Sequence, residues 1–201
     1  MKNKIKLHTK PLVASTLLLA LPAHAQFTQN EIQKLLASDK ADADFFGESV
    51  AIDGDTAVIG AYLKSDGGTY ENGAAYIFAR SGGTWRQQAK LLASDRTDQD
   101  RFGNSVAIDG DTVVIGASSA DGSGTSASGA AYVFTRSTGS WTEQAKLLAS
   151  DRARLDGFGR SVAIDGDTVV IGADGEDDSG TTRSGAGYVF TPIACTWTQQ
   201  Y

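Results

Sequence analysis

Histidine is scarce in this chain and cysteine scarcer. There are two histidines, His8 and His24, and one cysteine, Cys195. Both histidines fall in the first 25 residues, which read as an export signal. Lys2, Lys4, Lys6 and Lys10 make a basic start, Pro11 to Leu21 is apolar, and Ala23-His24-Ala25 offers the small-x-small pattern of a cleavage site. The apolar run is shorter than the roughly 20 residues a spanning helix needs, so no transmembrane segment is expected. The expected mature chain begins at Gln26 and is exported to the periplasm, the medium or the cell surface. It then contains no histidine at all, which excludes Ser-His-Asp triads and the usual zinc sites. A single cysteine excludes an internal disulfide, and Cys195 reads as a lone thiol.

Basic residues are also few. Without the signal's four lysines, 14 basic residues face 24 acidic ones, a net charge of −10. Such a surface repels phosphate backbones, which argues against nucleic acid as a partner. Helix signals are almost absent. Residues 29–37 could be read as a helix in isolation, but their end, Lys34 to Asp39, has counterparts elsewhere that read as the end of a strand.

What the chain does have is a repeat. Leu35-Leu36-Ala37-Ser38-Asp39 returns at Leu91 to Asp95 and at Leu147 to Asp151. Phe46-Gly47 returns as Phe102-Gly103 and Phe158-Gly159. Asp53-Gly54-Asp55 returns as Asp109-Gly110-Asp111 and Asp165-Gly166-Asp167, and Trp85 as Trp141 and Trp197. Every step is 56 residues.

Each unit reads as four strands. In the second, Ser105 to Ile108 alternates polar and apolar, and Asp109-Gly110 signals a two-residue hairpin turn. Thr112 to Ile115 returns, apolar on both faces and so expected to be buried on both. A Gly/Ser-rich loop leads to a third strand, Ala130 to Thr135, and Trp141 to Leu148 makes the fourth. The fold class expected is therefore all-β, with β-propeller blades of four antiparallel strands in three 56-residue repeats. A β-solenoid suits antiparallel hairpins less well.

Phe102-Gly103-Asn104-Ser105-Val106-Ala107-Ile108, followed by Val113-Val114-Ile115-Gly116-Ala117, resembles the FG-GAP repeat in its bacterial form, related to the propeller of integrin α subunits. The organisation implied is a signal over 1–25, an N-terminal strand segment over 26–34, and repeats over 35–90, 91–146 and 147–201, the last truncated. The resemblance implies a propeller that presents loops to ligands, with adhesion or recognition as its role. It also implies calcium in an Asp-rich loop between the first two strands. Here that turn, Ile108 to Thr112, is too short to supply the 6–8 oxygens calcium takes.

Several clusters carry two readings. The aspartates at the hairpin turns could bind metal, or Asp-Gly makes the turn and the next Asp stays solvated; the turn alone accounts for their spacing. Asp39, Asp42 and Asp44, and again Asp95, Asp98 and Asp100, put three carboxylates in a short loop that could hold Ca2+. The third unit keeps Asp151 and Asp156 but interposes Arg154. Asp174, Glu176, Asp177 and Asp178 form an acidic loop unique to that unit. The matching loops, 62–70 and 118–128, differ most between copies: either they are binding loops for a protein or carbohydrate ligand, or they drift because little constrains them. The tryptophans read as edge packing and Phe46, Phe102 and Phe158 as core, each followed by a glycine that permits a bend.

Three blades cannot close a ring, since propellers take about four to eight. The chain is then a piece of a longer protein, or half of a six-bladed homodimer closed head to tail. The function expected is a non-catalytic binding or adhesion scaffold. The alternative is a carboxylate-based glycoside hydrolase, against which stands the repetition of the acids, because an active site needs unlike acids in unlike settings.

Overall fold

The computed structural model describes residues 30–121, 127–177, 182–193 and 196–200. The chain divides into Met1–Ile32 and Gln33–Tyr201. Of the first unit only residues 30–32 are described, without regular structure. The expected signal, Asp178 and Cys195 lie outside the described residues. Among the described residues no helix is long and apolar enough to cross a membrane.

The described residues of the second unit form twelve strands in three four-stranded antiparallel sheets, each with its strands in sequence order. The first blade is β1 (Phe46–Asp53), β2 (Thr56–Ala61), β3 (Ala74–Ser81) and β4 (Thr84–Leu91). The second is β5 (Phe102–Asp109), β6 (Thr112–Ala117), β7 (Ala130–Ser137) and β8 (Ser140–Leu147). The third is β9 (Ser161–Asp165), β10 (Thr168–Ala173), β11 (Ala186–Ile193) and β12 (Thr196–Gln200). The first strands β1, β5 and β9 pack side by side, while β4 and β8 barely meet. The blades therefore fan out from their first strands, as propeller blades do, and the three sheets do not close into a ring.

Each blade face is apolar because the next blade covers it. Val58, Ala75 and Ile77 of the first blade share a core with Phe102, Val113, Ile115, Tyr132 and Phe134 of the second. Val114, Ala131 and Val133 of the second meet Phe158, Val169, Ile171, Tyr188 and Phe190 of the third. The two faces of β6 thus belong to different cores, which explains its doubly apolar sequence. Val114 is fully buried, whereas its counterpart Val170, with no blade beyond it, is 43% exposed. At the other end Val106 is 9% exposed and its counterpart Val50 67%.

The Phe-Gly pair docks one blade on the last. Phe102 bridges Gly73 in parallel, and Phe158 does the same with Gly129. Gly103 has φ +88°, and a Cβ there would lie 2.4 Å from the Ala74 carbonyl oxygen. A Cβ on Gly60 would sit 2.0 Å from the Gly103 oxygen. The glycine after Phe is thus required by close backbone approach as well as by the bend. Ser49 donates to the Gly103 carbonyl at 2.7 Å, and Ser105 to that of Gly159 at 2.8 Å.

Three local expectations need correction. The hairpin closes on the pair Asp109 and Thr112, so the turn residues are Gly110-Asp111. Only the glycine has positive φ, +55°, as a type II′ turn demands. The aspartates around it are not simply solvated: Asp53 accepts from the Gly110 amide of the next blade at 2.7 Å, and Asp55 and Asp111 pair with Arg80 and Arg136 at 2.6 Å. Lastly, residues 30–37, expected as a strand, form no ladder. Leu35 and Ala37 instead cover the outer face of the first blade. Gln33 bonds the Trp85 backbone through its side chain, and the Ser38 amide donates to Gln87 as Ser94 does to Glu143. Among the described residues this segment has no third strand beside it to pair with.

Candidate functional site

One end of each sheet carries the tight turns. The other carries the long β2–β3 type loops and the connections between blades, and the candidate carboxylates lie there. Asp39 accepts from the Tyr76 hydroxyl at 2.8 Å and from Lys90 at 2.6 Å, and Asp95 does the same with Tyr132 and Lys146. Asp151 meets Tyr188 at 3.0 Å. Burial pushes the Asp39 and Asp95 carboxyls up, but the lysine and tyrosine bonds and the lysine charge outweigh it and hold both below the ordinary range. Burial, reinforced by the facing aspartate, drives the three tyrosine hydroxyls far above theirs.

The remaining acids close turns. Asp44 is buried, accepts from the Ala41 amide at 2.6 Å and pairs with the buried Lys64 at 3.0 Å. Asp100, also buried, accepts from the amide and hydroxyl of Thr97, and Asp156 from the Ala153 amide. Desolvation raises the Asp100 carboxyl, against the Thr97 bonds. Asp98 holds the Tyr70 amide at 2.8 Å, and Asp42 stands exposed. The two triplets expected to hold Ca2+ are therefore not brought together: among the described residues no three acidic, histidine or cysteine side chains converge as metal ligands. The first two repeats spend these aspartates on a tyrosine, lysines and backbone amides, and the third on a tyrosine and a backbone amide.

The acidic loop of the third unit also splits. Glu176 is buried at the position of Lys64 and Ala120. Asp177 accepts from the Arg183 amide, as Asp121 does from Ala127, and so clasps the loop. Asp174 lines a cavity, 3.9 Å from Arg160.

Two adjoining clefts open at this end. One, of about 380 Å³, crosses all three blades and is lined by Glu48, Tyr62, Arg101, Asn104, Ser118 and Arg160. The other, of about 420 Å³, lies between the second and third blades and shares Arg101, Ser118 and Arg160, adding Asp174 and Arg183. Glu48, Asn104 and Arg160 are one repeat position, the residue after Phe-Gly. The fan of first strands brings all three to one cleft with acidic, neutral and basic side chains. Asn104 is fixed there: its amide nitrogen donates to the carbonyls of Gly159 and Arg160, and its oxygen accepts from the Ser118 amide at 2.9 Å. Among the described residues no carboxylate comes within ion-pair distance of Arg101, and its buried Nε has no acceptor.

The acids drew attention in the sequence because they recur. The cleft residues are instead those that fail to recur, and aligning the three units on Phe-Gly would have exposed them. The tryptophans do pack at blade edges. Trp85 and Trp141 lie under Arg80 and Arg136 at 5.3 and 5.2 Å, each against its blade's core.

A sequence-family profile described as FG-GAP repeat matches residues 30–78, 85–134 and 141–190. No curated protein matches the chain.

Proposed function

Because the chain belongs to the FG-GAP repeat family, we propose that it is an exported, non-catalytic scaffold that binds a protein or carbohydrate ligand at the loop end of its blades. The observation that carries this reading is the single repeat position that places Glu48, Asn104 and Arg160 in one cleft. A scaffold that holds the backbone constant while varying the side chains it presents is built for recognition. The basic and apolar start of the chain supports export.

The hydrolase alternative needs two carboxylates flanking one bond. Glu48 and Asp174 line different clefts, which weighs against it. The test is retention of the full chain on glycan and peptide arrays, together with turnover of a panel of glycosides. Binding that is lost in Glu48→Asn or Arg160→Asn, with no turnover, is the expected result. Turnover abolished by Glu48→Gln or Asp174→Asn would overturn the scaffold reading.

The open end faces support a second copy as partner. The face around Val170 and Val189 is the repeat image of the face that the second blade turns toward the third. The face around Val50 and Ile52 is the image of one that covers such a face within the chain. Head-to-tail pairing would bury both. Light scattering behind a sizing column should give twice the chain mass, and Val170→Glu should return it to one. A monomeric wild-type protein sinks the pairing without touching the cleft.

A further inference from the structure

Arg101 is the side chain that the scaffold does not explain. Its position is held by Phe45 in the first unit and Gly157 in the third, and all three take a left-handed backbone, φ +52°, +60° and +70°. Glycine fits that conformation without steric cost, as the third unit shows, yet here an arginine is kept in it. Its Nε is buried without an acceptor, and it borders both clefts. Arg160 lies on the same clefts, held only by an exposed and distant Asp174. Five other cations, Arg80, Arg136, Lys64, Lys90 and Lys146, meet carboxylates at 3.0 Å or less. Two guanidiniums on one cleft without a close carboxylate, one of them with a buried and unused Nε, mark a place for an anion brought from outside.

We propose that the cleft between Arg101 and Arg160 binds a short acidic saccharide, taking its carboxylates on the two guanidiniums. This deepens the scaffold reading and rests on it. A carboxylate matches the planar donor fork of arginine, and Arg101 Nε supplies a donor that nothing in the described protein uses. The rest of the lining suits a sugar. Asn104 and Ser118 are polar and fixed, and Glu48 can accept from hydroxyls. Tyr62, propped against Phe45 at a ring separation of 5.6 Å, offers the one aromatic surface of this cleft. A peptide ligand would call for apolar anchoring pockets, and this lining offers mainly polar groups. The net charge, −6 for the full chain and −10 once the expected signal is removed, repels long polyanions and leaves a ligand with one or two charges as the better fit.

The repeat supplies variants the fold already tolerates. Arg101→Gly installs the residue of the third unit, and Arg160→Asn that of the second. Titration calorimetry of the full chain with digalacturonate should show binding, and its dimethyl ester should bind at least about tenfold more weakly. Each variant should lose about tenfold or more in affinity for the acid, while the thermal midpoint of Arg101→Gly stays level or rises, because a left-handed strain is relieved. Equal binding of acid and ester, or undiminished binding by both variants, overturns the proposal. So does preferential binding of hexaglutamate peptide, or no binding of digalacturonate. If a neutral glycan or a peptide binds instead, and Glu48→Asn abolishes it, the scaffold reading survives and only the acidic saccharide falls.

Discussion

The seam between two blades and the cleft above it are one residue apart in sequence. Phe102 and Gly103 lie in the seam, the phenylalanine fully buried and the glycine pressed against the Ala74 carbonyl. Asn104, the next residue, lines the cleft. Across the three units the first two positions never change and the third is Glu, Asn and Arg. Packing and backbone approach bind the sequence up to the glycine and release it immediately after. The seam decides that blades stack, and the position after it, on the cleft, is free to vary.

The sharpest way to test that division is to break the seam. Phe102→Ala empties a fully buried site that stacks edge-on with Tyr132 and Phe134. It should cost about 3–5 kcal/mol in urea unfolding. Phe46, its counterpart in the first blade, has the same ring partners but no blade in front of it and is only half-buried. Phe46→Ala should cost clearly less. Equal costs would mean that the ring contributes within its own blade and that the seam adds nothing.

A smaller effect comes from the aspartates that tie each connection to the blade it enters. Asp95 joins Tyr132 and Lys146, and its carboxyl is held below the ordinary range when folded. A group whose folded pKa is depressed adds stability above its unfolded pKa and loses it as pH falls through the folded one. The wild type should therefore lose stability progressively below about pH 4. Asp95→Asn should flatten that acid limb and cost about 1–2 kcal/mol at pH 7, moderated by the partial exposure of the pair. An unchanged acid limb would assign the pH response to other carboxylates.

The fold was legible in the sequence because repetition reports constraint. Four landmarks at one spacing located every sheet, and the doubly apolar run Val113 to Ile115 correctly announced a strand between two cores. The hairpin turn was read one residue early, since Asp-Gly and Gly-Asp turns share the same letters and only the Asp109–Thr112 pairing separates them. The site was harder to read. Asp39, Asp42 and Asp44 look like a cation loop on paper, but the partners that claim two of them, Tyr76, Lys64 and Lys90, lie 20 to 51 residues away. No local pattern announces such distant claims. The cleft arises from three positions 56 residues apart, and only the fan of first strands brings them together.

On the cleft side of the comparison the expected effects on stability are small. Exchanging Glu48→Asn or Arg160→Asn places a residue already present at that position in another blade. Glu48 and Arg160 are exposed, so each exchange should change unfolding by no more than about 0.5 kcal/mol. A larger loss would show that the side chains after Phe-Gly help to hold the blades, and would erase the division between seam and cleft.

The smallest effect concerns calcium. Asp44 and Asp100 are turned inward onto backbone amides, and Asp39 and Asp95 onto tyrosine and lysine. For a cation to gather either triplet, these bonds must break and a connection between blades must reshape, at a cost no exposed Asp42 can offset. A ligand that binds only the folded state raises the thermal midpoint in proportion to its affinity. Adding millimolar Ca2+, or removing it with a chelator, should therefore shift the midpoint by no more than about 1 °C. A rise of several degrees that Asp42→Ala abolishes would mean the loop has a second arrangement, with its carboxylates turned outward onto the metal. In that case the aspartates would belong to the proposed recognition end of the molecule rather than to its scaffold.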